Sequence, residues 1–249
     1  MNSELTATEG YEEKHRPIIV VTCGRSGSRL LVSIIESFSI PVLETGYNDH
    51  SGDVRESYPL NQLHRFIEPW RNRLDFTWEI LDRYSDETQE VVLWLRSVIK
   101  STEKGVKGYG PIVKDPRLLH ILPVYMKAFP DARFIHIVRD GRDYAISEQE
   151  ECRYLNQEVP DIEFLLEIWN FRVSLLEAFR SDTRFMEVRF EDIIENPNSA
   201  IESLANFLGL TPSCEIPVLD KSKVRRFENS EIHIPNVDNL EYMKRFAYI

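Results

Sequence analysis

Cysteine is scarce. Cys23, Cys152 and Cys214 are the only three in 249 residues, far apart and without CxxC spacing. That spacing excludes a disulfide framework and offers no zinc-ligand pattern, and it fits a reducing compartment. Positive charge is in deficit: 30 Lys and Arg stand against 41 Asp and Glu, a net charge of −11. Such a balance excludes general affinity for nucleic acid or an anionic membrane surface, and it works against a polyanionic substrate. Long apolar runs are missing too, so no segment reads as a membrane span. Residues 1–15 are polar and acidic, lack the apolar core of a signal peptide, and read as a mobile leader. A cytoplasmic location with no nucleic-acid partner is the expectation. Internal repeats, low-complexity tracts and the GxxxxGK[ST] pattern that holds a magnesium nucleotide are also absent.

What is present is an ordinary globular composition, 42% hydrophobic, long enough for one large domain over residues 16–249. Ile18, Ile19, Val20 and Val21 form a β-branched run of the kind that fills a strand buried on both faces. Gly24, Arg25, Ser26, Gly27, Ser28 and Arg29 follow, and then Leu30, Leu31, Ile34, Ile35 and Phe38 recur at helical spacing. A strand turning through small residues into a helix makes an anion site. The first helical N–H groups lack internal partners, the dipole is positive there, and glycines let backbone close round a phosphate or sulfate. The same residues also suit a plain polar turn, and they do not choose between the two.

Further along, Pro41–Leu43 reads as a brief strand ending at Glu44, and Thr45–Ser57 as a loop containing His50 and Glu56. Apolar spacing predicts one or two helices over Tyr58–Tyr84, another over Asp86–Lys100, and a turn at Gly105–Gly110. Ile112–Arg117 reads as a strand ending in charge, Leu118–Met126 as a helix stopping before Pro130, and Arg133–Val138 as a strand. Arg139–Asp143 opens the next helix, Asp161–Phe179 forms a long one, Arg184–Phe190 a strand, and Ser199–Leu208 a helix closed by Gly209. From Thr211 onward the chain reads either as a basic lid or as a solvated tail. Strand and helix alternate, which predicts an α/β fold with a central, mostly parallel sheet flanked by helices.

Three motifs in order carry a resemblance: CGRSGSRLL after a strand, FIHIVRDGRDYAIS with Arg139 and Ser147, and VRFEDIIENPNSAIESLANFLGL from Val188 to Leu210. Over Pro17–Leu210 the chain resembles the sulfotransferases that use 3′-phosphoadenosine 5′-phosphosulfate (PAPS). The resemblance implies a P-loop-like sulfotransferase fold and transfer of a sulfuryl group, without metal, to a hydroxyl on a carbohydrate, lipid or small metabolite. The product nucleotide is adenosine 3′,5′-bisphosphate (PAP).

The same resemblance suggests site residues. Arg25 takes the place of the family's basic loop residue, with Ser26, Gly27, Ser28 and Arg29 as backbone and hydroxyl donors around the 5′-phosphosulfate. Arg29 stands where an uncharged residue is common, and nothing in the sequence explains that departure. Arg139 and Ser147 resemble the pair that holds the 3′-phosphate. Lys114, in VKDPR, resembles the lysine that approaches the bridging oxygen. Many cytosolic relatives carry a basic His two residues after that lysine, where this chain has Pro116. The base is therefore expected elsewhere: Glu44 matches the placement of a carboxylate used by carbohydrate sulfotransferases, with Glu56 next and His50 third. Trp169 and the basic run Lys223–Arg226, in which Arg225 and Arg226 are the candidates, are further possible contacts for adenine or phosphate. Asp140, Arg142 and Asp143 read as helix-start charges in local pairs, and Cys23 as a small buried residue. Two other classes compete: a phosphotransferase using Mg-ATP, which the missing GK[ST] disfavours, and a non-catalytic PAPS-binding protein, which Lys114 disfavours.

Overall fold

Side chains that are apolar on both faces of a strand drive that strand to the centre of a sheet. Ile18, Ile19, Val20 and Val21 are all fully buried in β1 (Arg16–Thr22). The computed structural model describes residues 16–43, 73–79, 105–212 and 218–249, with isolated positions between 86 and 99. Among the described residues β1 pairs in parallel with β2 (Tyr109–Lys114) on one side and β3 (Arg133–Val138) on the other. The fourth strand, β4 (Phe185–Arg189), adds to β3, giving one parallel four-stranded sheet in the order β2-β1-β3-β4.

Alternation along β1 assigns the two layers. Ile18 and Val20 pack with Ile112, Ile135 and Ile137 against α1 (Ser28–Glu36), α5 (Phe190–Glu195) and α6 (Pro197–Leu208). Ile19 and Val21 face the opposite layer, built from α2 (Leu122–Ala128), α3 (Gly141–Tyr154) and α4 (Ile162–Ser174). Each buried aliphatic side chain contributes about 2 kcal/mol, so the sheet is held from both sides.

Several boundaries differ from those the sequence suggests, and proline explains most of them. Pro41–Leu43 makes a single parallel bridge, Val42 to Ile112, rather than a strand; Pro41 has no N–H to donate to a ladder. The helix expected over Leu118–Met126 is a 3-10 turn at Pro116–Ile121, and α2 begins only at Leu122. Pro123 is tolerated in a first turn but not in a helix interior. Pro197 likewise keeps Asn196 out of the helical region, with ψ 57°, and separates the unanticipated α5 from α6. The long helix ends at Ser174 and resumes as a 3-10 turn at Glu177–Phe179. The described positions between 86 and 99 are helical. The C-terminal residues are not a solvated tail: α7 (Glu241–Arg245) buries Tyr242 and Met243, and Val237 and Leu240 join them in the core.

One polar cluster ties that C-terminal segment to the sheet. His136 on β3 lies beside Glu187 on β4, Nδ1 to Oε1 3.0 Å. Arg180 donates to both Glu187 oxygens, at 2.7 and 3.2 Å, and also pairs with Glu177. Glu177 in turn accepts from Tyr242 and Arg245 on α7, at 3.2 Å each. Burial raises the Glu187 carboxyl, but hydrogen bonds from His136 and Arg180 outweigh it and bring its pKa down from 4.5 to about 2. Burial also pushes the His136 imidazole below its ordinary value, against the opposing pull of Glu187.

Both shifts have the same sign. A depressed pKa stabilises the fold above the unfolded value and loses that contribution as the pH falls toward the folded one. The Glu187 share, on the order of 3 kcal/mol, is present above pH 4.5 and disappears toward pH 2. Urea midpoints measured from about pH 7 to pH 3 should fall with acid, and Glu187→Gln should flatten that fall. An unchanged acid slope in the Gln variant would contradict this account.

Candidate active site

Parallel sheets bind ligands beyond the carboxyl ends of their strands, at the point where the strand order reverses. Here that point lies between β1 and β3, because the chain steps from β1 to β2 and then crosses to β3. The loop after β1 runs through three left-handed residues, Gly24 (φ 86°), Arg25 (φ 48°) and Gly27 (φ 85°). Internal hydrogen bonds fix its path: Gly24 N donates to Thr22 Oγ1 at 3.1 Å, and Ser26 Oγ donates to Gly24 O at 2.8 Å. From behind, the buried Arg172 of α4 donates to the Cys23 carbonyl and to the Tyr144 hydroxyl, each at 3.0 Å. Helix α1 then starts at Ser28 with Gly27 as its N-cap and with no side chain capping it. Its first-turn N–H groups point along the positive end of the dipole.

Gly27 is required for space as well as for φ. A Cβ there would lie 2.3 Å from the Phe190 ring. The same ring lies beneath Arg139, whose guanidinium carbon is 5.0 Å from the ring centroid. Arg139 follows β3 and is almost fully buried. Its Nη1 donates to the Arg25 carbonyl at 3.1 Å, while Nη2 donates to Asp143 Oδ2 at 3.4 Å and to the Lys223 carbonyl. Burial lowers the Arg139 pKa against the pull of Asp143 and Glu191. Lys114 is the last residue of β2, in register with Val20 of β1, and is buried at 4% exposure.

The remaining candidates divide. Ser147 is half-buried on α3, one turn from Asp143 and one from Glu151. Arg29 is exposed on the first turn of α1. Arg226 reaches α3 and pairs with Glu150, whereas Arg225 turns to Glu195 on α5 at 3.1 Å. Trp169 is fully buried behind Gly141, whose Cβ would meet its ring at 2.9 Å, so it does not line an open site. Asp140 caps α3 by accepting from Arg142 N at 2.9 Å and pairs with the Arg142 side chain at 2.7 Å. Asp143 accepts from Phe227 N at 3.1 Å. Cys23 is buried, and burial pushes its thiol up to about 12. Glu44, His50 and Glu56 lie outside the described residues. Among the described residues no group of three or more His, Cys, Asp or Glu is placed to hold a metal ion, and no helix is long and apolar enough to cross a membrane.

Phe190, Arg172 and Glu151 went unnoticed in the sequence. Phe190 sits in the VRFEDIIENP motif, but its contact with Gly27 joins residues far apart in the chain, and no local pattern announces it.

Residues 17–213 match the sulfotransferase family. The chain belongs to that family. The omega-hydroxy-beta-dihydromenaquinone-9 sulfotransferases Stf3 of Mycobacterium bovis and Mycobacterium tuberculosis are each 24% identical to it over 156 residues. That alignment takes in 57% of this sulfotransferase chain and only 40% of each curated relative. Among solved structures, the sulfotransferase domain from the curacin biosynthetic pathway is similar with a TM-score of 0.59 at 15% identity, covering 94% of this chain and 98% of that one. The sulfotransferase domain from the Synechococcus PCC 7002 olefin synthase gives a TM-score of 0.55 at 20% identity, covering 96% and 97%. The fold is thus the P-loop-like one of sulfotransferases.

The glycine at position 27 offers a direct test of how the sulfotransferase loop is built. Gly27→Ala should cost about 2–4 kcal/mol, from the left-handed backbone and the collision with Phe190 together. Gly209→Ala, at φ 64° with nothing within 4 Å, should cost only about 1 kcal/mol. Equal losses in denaturant titrations would show that the close approach to Phe190 contributes nothing.

Proposed function

We propose that this chain moves a sulfuryl group from PAPS to a hydroxyl acceptor and releases PAP. The observation that carries the proposal is that the α1 N-terminus, which no side chain caps, follows β1 while Lys114 ends the neighbouring β2 and Arg139 follows the neighbouring β3 and donates to the Arg25 carbonyl. Family membership and the three sequence motifs support the same reading, and the name of the Stf3 relatives, which includes a hydroxy compound, supports the acceptor class. Carbohydrate, lipid and small-metabolite hydroxyls all remain within it.

In the transfer the acceptor oxygen attacks sulfur in line. The bond from sulfur to the bridging phosphate oxygen breaks, and its electron pair stays on the leaving bisphosphate. The α1 N-terminus with Ser26, Gly27, Ser28 and Arg29 binds the 5′-phosphosulfate, Arg25 adds positive charge, and Lys114 faces the bridging oxygen. Donors aimed at charge that grows in the transition state are worth about 3–4 kcal/mol in a water-poor site. The acceptor proton passes to a general base, an effect of about 10²–10⁴ in rate. Glu44 is our first choice for that base and Glu56 our second. Arg139 and Ser147 hold the 3′-phosphate, with Arg226 beside them and Arg225 at the rim.

Two substitutions test these roles. Lys114→Ala should lower sulfuryl transfer by at least about a hundredfold while PAP affinity changes little; retained turnover would remove Lys114 from the chemistry. Arg139→Ala should weaken PAP binding far more than AMP binding, since only PAP carries the 3′-phosphate. Equal losses for the two nucleotides would refute that assignment.

A further inference from the structure

The helix face that carries Ser147 is acidic, which is unexpected beside a proposed phosphate. Asp143 and Glu151 lie four residues before and after Ser147, and Glu150 lies three after it, so all three share its side of α3. Each one engages a group from a segment assigned above to the nucleotide. Asp143 takes Arg139 at 3.4 Å and the Phe227 N–H at 3.1 Å. Glu150 takes Arg226. Glu151 takes Arg25, Nη2 to Oε2 2.5 Å, with side-chain exposures of 25% and 33%.

The Arg25 contact is the most informative. Its backbone is held left-handed at φ 48°, an uncommon state for an L residue with a long side chain. Its Nε is buried without a hydrogen-bond partner, so the guanidinium is committed to Glu151 by one arm only. A single partly screened ion pair of this kind is weak enough to exchange for a phosphate dianion, which offers more acceptor oxygens and more charge.

We infer that Glu151 is an internal competitor for the donor's 5′-phosphate: it holds Arg25 on α3 while the site is empty, and nucleotide binding displaces it. The inference rests on the PAPS reading above. Its consequence is that Glu151 lowers the affinity for donor and product alike. For a transferase that must release PAP in every turnover, such a residue speeds product release at the expense of binding strength.

The test is calorimetric titration of the full chain with PAP, AMP and adenosine 3′-monophosphate at one fixed salt concentration. Glu151→Gln should bind PAP and AMP about fivefold more tightly than the parent and adenosine 3′-monophosphate no more tightly. Glu151→Ala should act in the same direction. In an Arg25→Gln background, Glu151→Gln should gain nothing, which is the signature of a shared interaction. Unchanged or weaker PAP binding by both Glu151 variants overturns the inference while leaving the donor reading intact. Equal tightening for adenosine 3′-monophosphate, or tightening that persists without Arg25, overturns the route through Arg25. If the parent and all variants ignore PAP, the donor reading falls and this inference falls with it.

Discussion

A guanidinium taken out of water must be met by acceptors, and Arg139 meets them on three separate segments. The Arg25 carbonyl belongs to the loop after β1, Asp143 to helix α3, and the Lys223 carbonyl to the C-terminal segment. Its flat face covers Phe190, which also limits position 27 to glycine. The β1 loop, the start of α3 and the C-terminal segment at Lys223 therefore share one buried cation. Removing it would take a donor from two carbonyls and leave Asp143 with only the Phe227 N–H among the described residues, a heavier loss than that of an exposed ion pair.

The electrostatic organisation follows from the same constraint. A chain with net charge −11 brings Arg25, Arg139 and Arg226 against helix α3, and places Lys114 at the carboxyl end of β2. Much of that positive charge is neutralised internally, by Asp143, Glu150 and Glu151. Such an arrangement keeps the fold from accumulating self-repulsion, and under the function proposed above an anionic ligand enters by exchange of partners rather than into an open field of charge.

What could be read from the sequence was local. The apolar run at Ile18–Val21, the small-residue loop and the helical spacing after it lie within one stretch of chain, and all three elements form where they are expected. The same holds for Arg133–Val138 and the helix that Asp140 caps. Contacts between distant stretches left no trace: Phe190 against Gly27, Arg172 against the Cys23 carbonyl, and Arg25 against Glu151 each join residues more than a hundred positions apart. Trp169 shows the opposite error. An aromatic residue on a helix suits a ligand role by sequence alone, but the Trp169 ring is fully buried against Gly141 and fills the core. Apolar spacing takes no account of Pro41, Pro123 and Pro197, where the missing N–H or the restriction on the preceding residue sets an element boundary.

The Gly24–Arg29 loop, Lys114 and Arg139, at the carboxyl ends of β1, β2 and β3, are the site we propose for a 3′-phosphorylated adenine nucleotide bound without metal. Thermal unfolding with PAP, compared with AMP and with ATP plus magnesium, tests it most directly, because a ligand that binds only the folded state raises the midpoint by mass action. The account predicts a clear rise with PAP that chelator does not diminish, and little or none with the other two. A rise with magnesium ATP alone would contradict it and assign the loop to phosphoryl transfer.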